Sequence, residues 1–232
     1  MITSAICRLP GEFAQEIEQH AQDVDRFIKG ELSASILKSR RVPRGIYEQR
    51  QNGTYMVRVR LPGGAMSVVQ AKALAVVASR YGSGTLHVTT RQDIQIHGVK
   101  IEQTPSVLRE LFRAGLTSKG GGGNTVRNIT ACPYAGICPA ERFDVTPSVV
   151  AVTEYLIGLA GSYNLPRKYK IAFSGCGADC ALAQVNDLGF IASVRNGRQG
   201  FSVYAGGGMG AESRVADCME EWVPSGEVIR IA

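Results

Sequence analysis

The chain has 232 residues, of which 44% are hydrophobic and 20% are charged, and this ordinary globular composition excludes a disordered chain. It contains no apolar run of the ~18 residues that a membrane helix needs, so we expect no membrane span. Its first residues lack the basic-then-apolar pattern of a secretion signal, so we expect a cytoplasmic protein. The net charge of +6 favours an anionic partner.

The first half of the chain alternates between helical and strand periodicities. Apolar side chains at three- and four-residue steps predict helices, and strict alternation predicts half-buried strands. The polar face of the strand predicted over 85–99, if that strand is unbroken, borders either a ligand or solvent. The predicted elements are a helix over 10–29, a strand over 55–61, a helix capped by Ser67 and running to 80, a strand over 85–99 and a helix over 104–115.

The second half begins at a glycine-rich segment, residues 119–123, which predicts a flexible loop and a domain boundary near residue 121. Asn196-Gly197 predicts a tight hairpin turn. The mixture of helices and strands predicts an α+β or mixed α/β fold. The remaining predicted elements are a short strand over 124–130, a helix over 147–160, a strand over 165–174, a hairpin over 187–205 and a helix around 212–220.

Four of the six cysteines form two close pairs, Cys132 and Cys138 in a C-x5-C motif and Cys176 and Cys180 in a C-x3-C motif. Four thiolates from two loops suit a [4Fe–4S] cluster. A structural zinc site is the alternative, although the longer spacing fits it poorly, and unligated thiols remain open as well. Disulfides would need an oxidising compartment. The lone cysteines, Cys7 and Cys218, are interpreted as small hydrophobic residues.

Six further stretches of the sequence belong to a family pattern: VRVRLPGG (57–64), VTTRQDIQIHGV (88–99), NTVRNITACP (124–133), LPRKYK (165–170), SGCGADC (174–180) and NDLGF (186–190). On these stretches, the chain resembles the sirohaem-dependent sulfite and nitrite reductases. The resemblance implies a parachute-like, ferredoxin-like half-domain over residues 1–120 and a sirohaem- and cluster-binding α+β domain over 121–232. Members of the family usually continue with another helix, so we expect the second domain to be incomplete at its C-terminus.

The resemblance also implies the roles of individual residues. Cys132, Cys138, Cys176 and Cys180 would hold the [4Fe–4S] cluster, and Cys180 would bridge it to the sirohaem iron. Two further residues, Arg91 and Gln95, match positions that contact sirohaem. The anion would be bound by a ring of two arginines and two lysines, which the family pattern assigns to Arg58, Arg127, Lys168 and Lys170.

The expected activity is the six-electron reduction of sulfite to sulfide, because relatives that favour nitrite often have asparagine where Lys170 stands. The alternatives are reduction of nitrite to ammonia and a non-catalytic cofactor-binding or electron-transfer module. An unidentified protein would donate the electrons. Larger relatives fuse two copies of this module and share the site between them. A homodimer that shares its sites in the same way is therefore one expectation, and a monomer that builds its site alone is the alternative. Nucleic-acid binding is not expected, because the basic residues lie in the redox motifs.

Overall fold

The computed structural model describes residues 7–232 and contains two β-sheets with helices packed against them, which confirms the α+β class. The helices are α1 (Phe13–Ile28), α2 (Ala34–Arg41), α3 (Val68–Tyr81), α4 (Thr104–Arg113), α5 (Thr146–Ile157) and α6 (Val228–Ile231). The strands are β1 (Ile46–Glu48), β2 (Thr54–Val59), β3 (Leu86–Val88), β4 (Ile94–Lys100), β5 (Thr130–Ala131), β6 (Ile171–Ser174), β7 (Leu188–Arg195), β8 (Arg198–Ala205) and β9 (Asp217–Pro224).

The first sheet is antiparallel throughout, with the order β1-β2-β4-β3. Its apolar face packs against α3 and α4, which bury Leu74 and Leu111 in the same core. The start of α3 is fixed by a capping box, in which Ser67 Oγ accepts from Gln70 N at 3.2 Å and Gln70 Oε1 accepts from Ser67 N at 3.0 Å. The predicted helices that correspond to α1, α3 and α4 are therefore confirmed.

The second sheet has the order β5-β6-β7-β8-β9. The first three strands are parallel, and the last two run antiparallel to their neighbours. Its core contains three fully buried phenylalanines, Phe173, Phe190 and Phe201, and the first two stack with ring centroids 4.4 Å apart. The predicted hairpin is confirmed as β7–β8, with Asn196 (φ 52°) and Gly197 (φ 72°) in the left-handed turn.

The prediction of one unbroken strand over 85–99 is wrong, because β3 and β4 form a hairpin around the turn at residues 89–93. Thr89 Oγ1 accepts backbone N–H groups from Arg91 at 3.3 Å and Asp93 at 3.1 Å, and Gln92 adopts a left-handed φ of 61°. A threonine side chain that bonds to its own backbone in this way competes with the ladder of a continuous strand. Arg91 therefore lies at the turn instead of on a strand face.

This turn joins the two sheets. Gln92 Nε2 donates to Ala131 O at 2.8 Å, and its Oε1 accepts from Ala131 N at 3.0 Å, so the side chain pairs with β5 as a neighbouring strand would. Asn128 Nδ2 donates to Leu61 O at 2.7 Å and to Arg91 O at 3.0 Å. The division of the chain near residue 121 stays a prediction.

Two other predictions are wrong. The helix expected around 212–220 is absent, and the last four residues of that stretch begin β9, which pairs antiparallel with β8 and buries Val223 in the core. The glycine loop (residues 119–123) is packed inside the protein and is not the flexible surface loop that its composition predicts, since Gly120, Gly121 and Gly122 are all buried. The strands expected over 124–130 and 165–174 are present only as the short β5 and β6, with a single bridge between Val126 and Tyr169 before them.

No helix within residues 7–232 combines the length and the apolar character that a membrane crossing requires.

The buried His20 predicts how the fold responds to acid. Its Nε2 lies 2.9 Å from Thr104 Oγ1, and burial, reinforced by the charge of Arg44, lowers its pKa from 6.5 to about 3. The unfolded chain therefore binds a proton that the folded chain excludes, so the stability from this group falls as the pH drops below about 6.5.

We expect the exclusion of this proton from buried His20 to lower the free energy of unfolding by about 3 kcal/mol between pH 7 and pH 4. Urea unfolding of wild type and His20→Gln at both pH values measures it. The variant should lose less stability than wild type over this interval, and equal losses in the two proteins would contradict the assignment.

Candidate functional site

A cationic cavity of about 770 Å³ opens at one end of the second sheet. Its wall carries seven cationic side chains and two carboxylates, and the loop at residues 207–212 forms one rim. Four of the cations are the predicted anion ligands, and a fifth is Arg91. The charged residues of the wall are Arg58, Arg91, Arg127, Arg167, Lys168, Lys170, Arg214, Asp187 and Glu212.

The order of residues around the parallel strands explains why these cations meet. Arg127 precedes β5, Lys168 and Lys170 precede β6, and Asp187 precedes β7. Because the three strands are parallel, their amino ends lie at the same edge of the sheet. Arg58 reaches the same edge from β2 in the first sheet.

Arg91 is one of the half-buried cations that line the cavity. Its Nη1 donates to Asn186 Oδ1 at 2.9 Å, and its Nη2 donates to Asn128 O at 2.7 Å and Ile171 O at 3.1 Å. Burial lowers its pKa to about 10, so it stays charged at neutral pH. Its Nε is buried without a protein partner. Arg91 therefore links both sheets and still has a donor to offer.

The two arginines predicted to bind the anion hydrogen-bond to the glycine loop. Arg58 Nη1 donates to Gly121 O at 3.0 Å, and Arg127 donates from Nη1 to Gly121 O at 3.2 Å and from Nη2 to Gly123 O at 3.2 Å. Arg127 Nε, like that of Arg91, is buried and has no partner.

The two lysines differ in exposure. Lys168 is exposed, whereas Lys170 is half-buried, and its backbone N–H donates to Asp187 Oδ2 at 2.7 Å. The Lys170 ammonium lies 3.9 Å from the same carboxylate. Asp187 therefore supports Lys170 from the cavity wall. Arg167 and Asp187 lie in the family stretches LPRKYK and NDLGF, whereas no sequence pattern indicates Arg214.

Gln95 does not line the cavity. It is the cross-strand partner of Arg58, but its Oε1 lies 3.1 Å from His97 Nε2. The other ring nitrogen of His97, Nδ1, lies 2.9 Å from Gln49 Nε2, and Gln49 Oε1 accepts from Gly98 N at 2.8 Å. The side chain that the family pattern assigns to the cofactor is therefore held by its own sheet.

A buried carboxyl lies among the arginines. Asp93 is only 5% exposed, and its Oδ1 has no hydrogen-bond partner. Burial raises its pKa to about 6, although the charges of Arg60, Arg58, Arg91 and Arg127 act in the opposite direction. One carboxyl does not balance four nearby guanidinium groups, so the region favours a further anion.

The four predicted cluster ligands lie at the opposite end of the same strands. Cys132 follows β5, and Cys176 and Cys180 follow β6, whose carboxyl ends are adjacent. The backbone bond from Arg142 N to Gly175 O, 2.8 Å long, ties the loop of Cys138 to the second cysteine loop. Cys180 is exposed, Cys138 and Cys176 are half-buried, and Cys132 is buried.

The thiols share one neighbourhood without forming a closed site. Burial raises the pKa of Cys132, and the charges of Cys180 and Cys176 raise it further. Across the described part of the chain, no three His, Cys, Asp or Glu side chains are gathered closely enough to hold a metal ion. The cysteines are absent from the cavity wall. The chain therefore presents its cations and its thiols at two separate ends of β6, which at ~3.3 Å per residue are on the order of 13 Å apart.

Two family models match the chain, one after the other. Residues 122–232 match the model described as the nitrite and sulphite reductase 4Fe-4S domain. Residues 47–113 match the model described as the nitrite/sulfite reductase ferredoxin-like half domain.

Individual relatives are ferredoxin–nitrite reductases. The protein of Synechococcus elongatus is 38% identical over 188 residues, which cover 78% of this chain and 36% of that protein. The protein of Leptolyngbya laminosa is 36% identical over 185 residues, covering 77% of this chain and 36% of that protein. The chain thus spans about a third of the length of these curated relatives.

Two solved structures share the fold. The Mycobacterium tuberculosis NirA protein superposes with a TM-score of 0.80 and 27% identity, over 96% of this chain and 46% of that one. A dissimilatory sulfite reductase I superposes with a TM-score of 0.56 at 18% identity, which supports the fold alone. With two domain models matched in order and relatives of this kind, the chain belongs to the nitrite and sulphite reductase family, a family of oxidoreductases.

Proposed function

We propose that this chain binds sulfite beside a sirohaem and takes part in its six-electron reduction to sulfide. The cationic cavity carries this proposal, because it gathers Arg58, Arg127, Lys168 and Lys170 in one wall. Guanidinium forks match the oxygens of an oxyanion, and ammonium groups add compact charge. Nitrite reduction to ammonia at the same site is the second candidate, favoured by the names of the relatives.

The cofactors of this family are sirohaem and a [4Fe–4S] cluster, and the residues present fit both. Sirohaem carries carboxylates around its ring, and the cavity offers an excess of cations together with the unpartnered Nε donors of Arg91 and Arg127. The four cysteines supply the thiolate set that such a cluster takes, from two loops at one sheet edge. When bound, the cofactors supply the electrons and the iron at which the oxyanion is reduced.

The protein's own part is to bind the anion and supply protons. Arg58 and Arg127 orient the oxygens, and their charge lowers the cost of bringing an anion into the cavity. Lys168 and Lys170 deliver protons to oxygens that leave as water, and Asp187 holds Lys170 near the wall. Arg91 stabilises cofactor carboxylates from the floor between the sheets.

The names of the relatives indicate the electron donor, and the cysteines indicate the cellular location. The relatives are named for ferredoxin, so we infer a ferredoxin-type donor that approaches the cysteine end. All six cysteines are free, which suits a reducing cytoplasm.

The choice between sulfite and nitrite is testable at Lys170. Replacing it with asparagine removes one charge-assisted contact, typically worth about 1.5–3 kcal/mol, and we expect sulfite turnover to fall more than nitrite turnover. Steady-state rates with reduced methyl viologen measure both. Lys72→Asn, on the exposed face of α3, is the matched control.

An unchanged ratio of the two rates would contradict the preference for sulfite. Sirohaem absorbance without either product would instead support the non-catalytic cofactor-binding module.

The ligand set is testable by iron content. Serine at any one of Cys132, Cys138, Cys176 or Cys180 should strongly reduce the iron retained by anaerobically purified protein, because the cluster needs all four thiolates. Cys7→Ser and Cys218→Ser are the controls and should keep full iron. Iron loss in Cys218→Ser together with full iron in Cys138→Ser would overturn the assignment.

We further propose that two copies of this module pair so that the cysteine end of one meets the cationic cavity of the other. The separation of these two ends along β5 and β6 supports this arrangement. A two-fold pair would build two equivalent sites of this kind.

Complementation tests the shared site. Co-expressed Cys180→Ser and Lys168→Ala chains should regain part of the wild-type activity, because one site of the mixed pair then has both sets intact. Cys180→Ser with Cys176→Ser is the control and should remain inactive. Absence of recovery in mixed pairs shown to form would mean that each chain builds its site alone.

A further inference from the structure

We propose that the glycine loop is a positioning element, which fixes the directions of Arg58 and Arg127 and is itself held by Tyr47 and Thr125. The inference rests on the proposed function, because that function assigns the anion to these two arginines.

A single backbone oxygen anchors both arginines. Gly121 O accepts from Arg58 Nη1 at 3.0 Å and from Arg127 Nη1 at 3.2 Å, and Gly123 O accepts a second bond from Arg127 at 3.2 Å. A carbonyl has two lone pairs, so the acceptor capacity of Gly121 is fully used. Each guanidinium carries five N–H donors, and several therefore remain for a ligand.

The loop can make these contacts only because side chains are absent. A Cβ on Gly121 would lie 2.8 Å from Arg58 O and 2.9 Å from Ser118 O, both backbone atoms that cannot swing away. A Cβ on Gly122 would collide with Val42 O and the Tyr47 hydroxyl. The glycines therefore serve close packing, and the carbonyls they carry have fixed directions.

Two side chains hold the loop from either side. Thr125, fully buried, shares its hydroxyl proton between Gly120 O at 2.9 Å and Gly122 O at 3.0 Å. The Tyr47 hydroxyl accepts from Gly123 N at 3.0 Å. The Arg58 guanidinium also lies over the Tyr47 ring, 5.4 Å from its centroid. Tyr47 thus contacts both the loop and one of the arginines that the loop directs.

This arrangement prepares the site before a ligand arrives. Two guanidinium groups that share one acceptor repel each other, and the fixed loop prevents them from separating. An anion that enters finds the donors already ordered and does not have to immobilise them. Tyr47 and Thr125 are therefore positioning residues, which act on the anion through Arg58 and Arg127.

The first test uses the free protein and needs no cofactor. Arginine-selective ¹⁵N labelling gives Nε–H signals, and Arg58→Lys and Arg127→Lys identify the two of interest. We expect these two signals to be dispersed in wild type and to move or broaden in Thr125→Val and Tyr47→Phe. The control is Thr153→Val, since Thr153 is also buried and its hydroxyl has no partner.

The second test measures binding of uroporphyrin, a tetrapyrrole with carboxylates around its ring, by fluorescence titration. We expect Thr125→Val and Gly121→Ala to raise its Kd about tenfold, which corresponds to ~1.4 kcal/mol. Gly161→Ala is the control, because a Cβ there meets nothing within 4 Å.

The outcomes distinguish the positioning role of Tyr47 and Thr125 from the proposed function of the cavity. Folded Thr125→Val and Tyr47→Phe proteins with both arginine signals unchanged would overturn the positioning role, even if Gly121→Ala does not fold. Failure of wild type to bind uroporphyrin would count against the proposed function and would leave the arginine signals to decide the positioning role.

Discussion

Parallel pairing of β5 with β6 determines where the charged and thiol-bearing residues of the candidate site lie. The pairing aligns Thr130 with Ala172 and Ala131 with Phe173, so residues before these strands share one edge and residues after them share the other. Arg127 and Lys170 are thereby gathered at the amino ends, and the cysteine loops at the carboxyl ends. An antiparallel pairing would have mixed the two sets.

The cationic end carries an electrostatic cost that the isolated chain only partly offsets. Arg60 is buried and bonds to Lys119 O and Arg127 O, while Arg58 and Arg127 bond to the glycine loop. Backbone carbonyls satisfy the donors of these groups but do not neutralise their charge. Among the residues that the structure describes, Asp93 is the one acid buried beside these arginines, and burial raises its pKa to about 6. A polycarboxylate cofactor and an oxyanion would supply the missing negative charge.

Much of this arrangement could be predicted from the sequence, where local patterns decide the structure. Helices α1, α3, α4 and α5 and the β7–β8 hairpin follow from periodicity, caps and Asn196-Gly197. The turn at 89–93 could not be predicted from local patterns. It depends on the hydrogen bond of the Thr89 side chain to Asp93 N and on the pairing of Gln92 with Ala131 in β5, which is far away in sequence. The sequence predicts a helix where the edge strand β9 begins, because the exposed residues there carry no alternating pattern and only their pairing with β8 defines a strand.

The candidate site shows the same difference between local patterns, which identify residues, and long-range pairing, which places them. Spacing grouped the cysteines, and family motifs indicated the cations, but only the strand register shows that the two groups lie apart. The composition of the glycine loop predicts flexibility, whereas Gly121 O accepts from both Arg58 and Arg127 and a Cβ on Gly121 would collide with backbone oxygens.

Iron-edge anomalous scattering from crystals of the anaerobically purified protein tests the central claim most directly. The account predicts strong iron peaks at the four cysteines and one further iron peak at the cationic cavity beside Arg58 and Arg127. Iron at neither end, with zinc bound by the cysteines and no tetrapyrrole in the cavity, would contradict it.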